Sequence, residues 1–91
     1  MIRNFKCKYT EKLFNKEYVK RFSGFDVQAR RRLRVLSDAE TLQELEALPS
    51  NRFEKLKGDR KEQYSISINM QWRICFQWDT EPFDVEIVDY H

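Results

Sequence analysis

Histidine occurs once in these 91 residues, and glycine, proline and cysteine occur twice each. Each scarcity excludes something. One His and two separated Cys, Cys7 and Cys75, cannot supply the ligands of a structural zinc site, and no cofactor is expected. The thiols form no CxxC pair, and nothing in their spacing asks for a disulfide. A Cys–His nucleophilic pair with His91 is disfavoured, because cysteines inside strands are usually inert core residues. So few Gly and Pro leave regular elements to dominate. No apolar stretch approaches the roughly 20 residues of a membrane span. Met1-Ile2-Arg3 leads straight into a strand-like run without a signal peptide. The expectation is a soluble, cytoplasmic, reduced protein with no membrane partner. The phosphate-binding, dinucleotide, nucleophile-elbow and zinc-protease motifs (GxxxxGKS/T, GxGxxG, GxSxG, HExxH) are all absent.

What is present is a core and an uneven charge. Hydrophobic residues make up 41% and aromatics 14%, enough for a packed globular fold, and the length fits one domain over 1–91. A chain this short buries only about 60–65% of its unfolded surface, so function should sit on an open face or at a terminus. The formal net charge of +2 hides an asymmetry: residues 1–34 carry 11 Lys/Arg against 3 Asp/Glu, and residues 35–91 carry 6 against 12. A basic half suggests a polyanion partner, either RNA or an acidic protein surface, although solvated basic helices would give the same pattern.

Ile2–Lys8 alternates as a short strand. Thr10 reads as the cap of a helix from Glu11 to about Phe22, with Leu13, Phe14, Tyr18 and Phe22 as its buried stripe. Asp26 can cap a second helix to about Leu36, in which Val27, Ala29, Leu33 and Leu36 share a stripe. Thr41–Leu48 reads as a third, ended by Pro49. From Asn51 the period changes to two. Strands are expected at Arg52–Leu56, Gln63–Ile68, Trp72–Trp78 and Val85–Tyr90, with Pro82 as an interruption. The class is therefore α+β: an antiparallel sheet of four to five strands with two or three helices on one face. The helices should cover Trp72, Ile74, Phe76 and Trp78. The other face, with Ser65, Ser67, Arg73 and Gln77, should be open.

Three features suit chemistry on a polyanion. Arg73 sits mid-strand opposite the apolar stripe, where a charge needs water or a partner. Lys57 and Arg60 flank Gly58-Asp59 in a turn, and beside Arg73 they would make a phosphate site. The chain ends Asp89-Tyr90-His91, placing its one group with a near-neutral pKa directly after the last strand. Each also has a bland reading: a solvent-facing residue, a solvated turn and a frayed tail. Strand parity puts Asp89 and His91 on the side of Val85 and Ile87, with Tyr90 turned away.

The runs NRFEKLKGDR (51–60), QYSISI (63–68), QWRICF (71–76) and VEIVDYH (85–91), with the opening MIRNF, together resemble the HigB-type toxins, or plasmid maintenance system killer proteins, of the RelE superfamily. The resemblance covers essentially the whole chain and is strongest from Asn51 to His91. It implies a RelE-like fold, metal-free cleavage of messenger RNA on the ribosome, and a cognate helix-turn-helix antitoxin of the HigA type. Operator DNA would be bound only through the toxin–antitoxin complex. Residue by residue, it implies that Lys57 and Arg73 are basic active-site positions and that Asp89, Tyr90 and His91 are C-terminal catalytic residues. Some members carry a catalytic His where this chain has Glu54, and others an acidic residue; the difference bears on the acid/base assignment. Arg30, Arg31, Arg32, Arg34, Arg60 and Lys61 are the expected RNA-binding residues, and the four helical arginines equally suit an acidic antitoxin segment. The competing reading keeps the fold but makes it an RNA- or antitoxin-binding module with little or no catalysis.

Overall fold

In the computed structural model, which describes residues 1–60 and 62–89, Ile66, Ile74, Phe76, Val85 and Ile87 meet Leu13, Phe22, Ala29, Leu33, Leu36 and Leu45 in one buried cluster. The first five come from strands and the others from helical segments. Fully burying one such side chain is worth about 1.5–3 kcal/mol, so this contact is what sets the helices on the sheet.

The helices are α1 (Lys8–Phe14), α2 (Asp26–Asp38) and α3 (Leu42–Ala47), and the strands are β1 (Glu54–Lys55), β2 (Tyr64–Ser67), β3 (Trp72–Asp79) and β4 (Glu81–Asp89). The strands form one antiparallel sheet in the order β1-β2-β3-β4. The α+β class is as the sequence implies. No helix among the described residues is long and apolar enough to cross a membrane.

The N-terminal third departs from expectation. Ile2–Lys8 is not a full strand: it runs beside β4 with a single parallel bridge, Phe5 to Val85. The expected helix from Glu11 to Phe22 starts earlier, at Lys8, and ends at Phe14. Asn15 and Lys16 (φ 68°) close it, and a separate 3-10 turn, Lys20–Phe22, carries Phe22 to the edge of the Trp72 ring. A continuous helix could not put Leu13 and Phe22 into the same core, so packing overrides local periodicity. Tyr18, expected in the buried stripe, is 74% exposed, and Val19 is buried instead. Val27 is likewise exposed, while Ala29, Leu33 and Leu36 are buried as expected.

Thr10 does not cap a helix. It lies inside α1, fully buried, and its Oγ1 accepts the Ile87 N–H at 3.0 Å. Asp26 is the first residue of α2 rather than its cap, and α2 runs on to Asp38. The third helix lies within the expected Thr41–Leu48, but Thr41 is its cap, reciprocal with Glu44, and not its first residue.

Pro82 does not interrupt the last strand but lies within β4, paired with Trp78. An edge strand tolerates proline where no ladder N–H is needed, and the Pro82 carbonyl accepts the Arg3 N–H at 2.8 Å. Between Cys75 and Gln77 the register slips by one residue on β4. Asp84 absorbs the slip with a left-handed φ of 51°.

The second face of the sheet is not open. Ser65, Ser67, Arg73 and Cys75 are all buried there. The connection through residues 48–60 folds back over them, and its Arg52 carbonyl and Arg60 side chain both reach the sheet.

Candidate active site

Side chains alternate along a strand, so paired residues share a face. Pairing puts Glu54, Ser65, Cys75 and Glu86 in one row across all four strands, opposite the core. The adjacent row holds Ser67, Arg73 and Val88.

Arg73 is the centre of this face. Its Nε donates to the Ser65 Oγ at 2.8 Å, and one terminal nitrogen donates to the Arg52 carbonyl and, at 3.4 Å, to that of Ser65. A buried guanidinium needs such acceptors, and together they fix the plane of its fork. The Arg52 carbonyl is aimed by the chain before it. Arg52 has a left-handed φ of 44° after the 3-10 turn Pro49–Asn51. Asn51 is fully buried; its amide donates to the Leu45 carbonyl at 3.0 Å, and its Oδ1 accepts from Arg32 at 2.6 Å. Hydrogen bonds from α2 and α3 therefore hold Asn51, and its chain neighbour Arg52 holds the Arg73 fork.

Further cations join from outside the strand ladder. Arg60 bonds the Glu86 carboxylate at 3.2 Å and Gln63 Oε1 at 3.2 Å. Lys6 approaches the same carboxylate at 3.5 Å. Cys75 lies beneath them. Burial pushes its thiol pKa up; Arg60, Arg73 and Lys6 pull it down and Glu86 pushes it further up. Desolvation prevails, which favours the neutral form of this buried thiol and disfavours it as a nucleophile. Lys57 is exposed beside the group, and its carbonyl accepts the Arg60 N–H at 3.4 Å.

Strand alternation separates two of the expected catalytic residues. Asp89 pairs with Trp72 in register, on the face opposite Arg73, and its exposed carboxylate accepts from the Gln71 amide at 3.1 Å. Glu54 lies on the Arg73 face, paired directly with Ser65. Tyr90, His91 and Lys61 lie outside the described residues. Among the described residues no three His, Cys, Asp or Glu are grouped as a metal ion would require.

The helical arginines occupy the other layer. Arg30 pairs with Asp26 at 3.8 Å, Arg34 lies over the Phe14 ring at 5.3 Å, and Arg31 is exposed. Arg32 alone connects to the Arg73 face, through Asn51 and Arg52. Sequence reasoning assigned no role to Lys6, Asn51, Ser65 or Glu86. Ser65 could have been found from the alternation it shares with Arg73; the others carry no local signal, because only tertiary packing brings them there.

The sequence matches the family described as the RelE-like toxin HigB of type II toxin–antitoxin systems over residues 3–91. Among curated proteins it is similar to Toxin HigB-1 of Vibrio cholerae serotype O1, 35% identical over 80 residues covering 86% of this chain and 84% of the relative. It is also similar to Endoribonuclease HigB of Proteus vulgaris, 32% identical over 93 aligned residues spanning 100% of both chains.

Proposed function

The chain belongs to the HigB-like family of RelE-like toxins of type II toxin–antitoxin systems, and from that membership we propose that it is an endoribonuclease that cuts messenger RNA on the ribosome. Family membership also implies an antitoxin partner. A helix-turn-helix antitoxin of the HigA type, through which the pair would bind operator DNA, is the reading that fits.

The observation that supports catalysis is the oriented Arg73 fork with Arg60 and Lys6 on the same face. Cleavage without a metal needs a base for the 2′-hydroxyl, a cation for the charge gathering on phosphorus, and an acid for the departing 5′-oxygen. Dependence on the 2′-hydroxyl makes the substrate RNA and not DNA. Arg73 holds the phosphate, and Lys57 adds positive charge at the rim. His91 serves as acid or base, and Tyr90 stacks on a base or bonds the ribose; Asp89, on the opposite face from Arg73, takes no part at the phosphate. Glu54, on the Arg73 face, supplies the second proton-transfer group.

This chemistry has a signature. Attack by the 2′-oxygen leaves a cyclic phosphate on the upstream fragment and a 5′-hydroxyl on the downstream one. Ribosomes carrying a defined message, incubated with the purified protein, should yield downstream fragments that a polynucleotide kinase labels without prior phosphatase treatment. Fragments bearing 5′-phosphate would contradict it.

A further inference from the structure

Two clefts on the helical layer share a wall. One, of about 360 Å³, is lined by the apolar Phe14 and Val35, the cationic Lys16, Arg30, Arg31 and Arg34, and Asp38. The other, of about 260 Å³, is lined by Val35, Asp38, Ala39, Leu45, Leu48 and Glu44. Val35 and Asp38 belong to both, so the two form one groove past the C-terminal half of α2. One end of it is cationic, with Phe14 and Val35 as its apolar lining. The other is aliphatic, and Leu48 there is 47% exposed.

We infer that this groove docks the antitoxin, through a segment with acidic residues at one end and aliphatic side chains at the other. This rests on the toxin reading above, which supplies a protein partner. The charge pattern chooses the occupant. Among the described residues, Lys16, Arg31 and Arg34 have no carboxylate partner. An RNA strand would suit the cationic cleft alone, because the other holds no cation and adds Glu44 to the Asp38 that the two share, so its charge repels phosphate. An aliphatic pocket also offers nothing to a phosphodiester, whereas a helix or strand of mixed character fills both halves. The groove lies on the helical layer, whereas Arg73 faces away from the core, so the two surfaces can be tested separately.

The test uses the full chain and, as probe, the purified antitoxin encoded beside it. Lys16→Glu and Leu48→Asp change exposed side chains at opposite ends of the groove. Each should weaken antitoxin binding by about tenfold or more, as loss of an interface anchor does. The Lys16→Glu complex should also be less sensitive to salt than the wild-type complex. Cleavage on the ribosome and the near-ultraviolet circular dichroism of both variants should match wild type. Wild-type affinity in both variants would overturn the groove while leaving the toxin reading intact. So would weakened ribosome binding with antitoxin affinity unchanged, which would make the groove an RNA surface. Failure of the antitoxin to bind even the wild-type chain would overturn the partner itself, and the groove with it.

Discussion

Arg73 and Ser65 are joined across β2 and β3 by a 2.8 Å hydrogen bond from guanidinium Nε to hydroxyl Oγ, both buried on the sheet face away from the core. The bond ties a charge to a strand and not to a loop, so the fork keeps its direction before substrate arrives.

Ser65→Ala should therefore damage catalysis more than binding. Leaving a buried charged donor without its acceptor costs roughly 1–3 kcal/mol or more, and chemical denaturation would show that loss. Single-turnover cleavage on the ribosome should fall while affinity for the ribosome changes little, and Ser65→Thr should restore much of the rate. Equal losses in binding and rate would indicate that Arg73 positions the whole substrate rather than the reacting phosphate.

Asn51 should act on Arg73 at a distance. It receives Arg32, bonds the Leu45 carbonyl and precedes the Arg52 carbonyl that holds the fork. Asn51→Ala removes two buried hydrogen bonds, for an expected loss of about 1–3 kcal/mol. Cleavage should drop as well, because a displaced Arg52 carbonyl frees the guanidinium to turn. Arg32→Ala should reproduce the rate defect at a smaller cost in stability. Full activity in both variants would show that the fork is held without this line of contacts.

Thr10 offers a prediction confined to the fold. Its hydroxyl is the acceptor for the buried Ile87 N–H. Thr10→Val keeps the shape and orphans that donor, at a cost of about 1–3 kcal/mol. Hydrogen exchange at the Ile87 amide should accelerate. Unchanged protection there would mean that another acceptor takes over.

Cys75 predicts a pH effect. Its folded pKa is raised above the ordinary 9.0, mainly by burial. The unfolded chain therefore gives up this proton at lower pH than the folded one. Stability from this source is full below the unfolded value and is lost as pH rises towards the folded value. Replacing Cys75 with Ala should flatten the alkaline fall in stability that begins as pH rises through the ordinary 9.0, compared with wild type. An identical slope in both proteins would remove Cys75 from the alkaline response.

The sequence disclosed the sheet well and the first helices poorly, and the reason is physical. Trp72–Trp78 alternates because one face is apolar along its whole length, and in β3 that face packs on the core, with Ile74 and Phe76 buried in it and Trp72 and Trp78 against it. Glu11–Phe22 has a helical period, yet the chain breaks at Lys16 because Leu13 and Phe22 are needed in one core. Arg73 was legible as a charge opposite an apolar stripe. Its burial was not, because the covering segment folds over it from the far side of α3. Glu86 and Lys6, 80 residues apart in the chain, meet only through the bridge of Phe5 to Val85 and so left no trace in local pattern.

The proposed chemistry belongs to the Arg73 fork and the chain terminus. Ribosomes stalled with a defined message in the decoding site would be mixed with excess wild-type protein, with Arg73→Ala, or with protein lacking Tyr90 and His91, and single-turnover cleavage followed. Each positioned acid, base or charge group is typically worth about 10²–10⁴ in rate, so both altered proteins should bind the ribosome and cut at least about a hundredfold more slowly than wild type. Cleavage by either at the wild-type rate would contradict the proposed site, and no cleavage by the wild-type protein would contradict the proposed function.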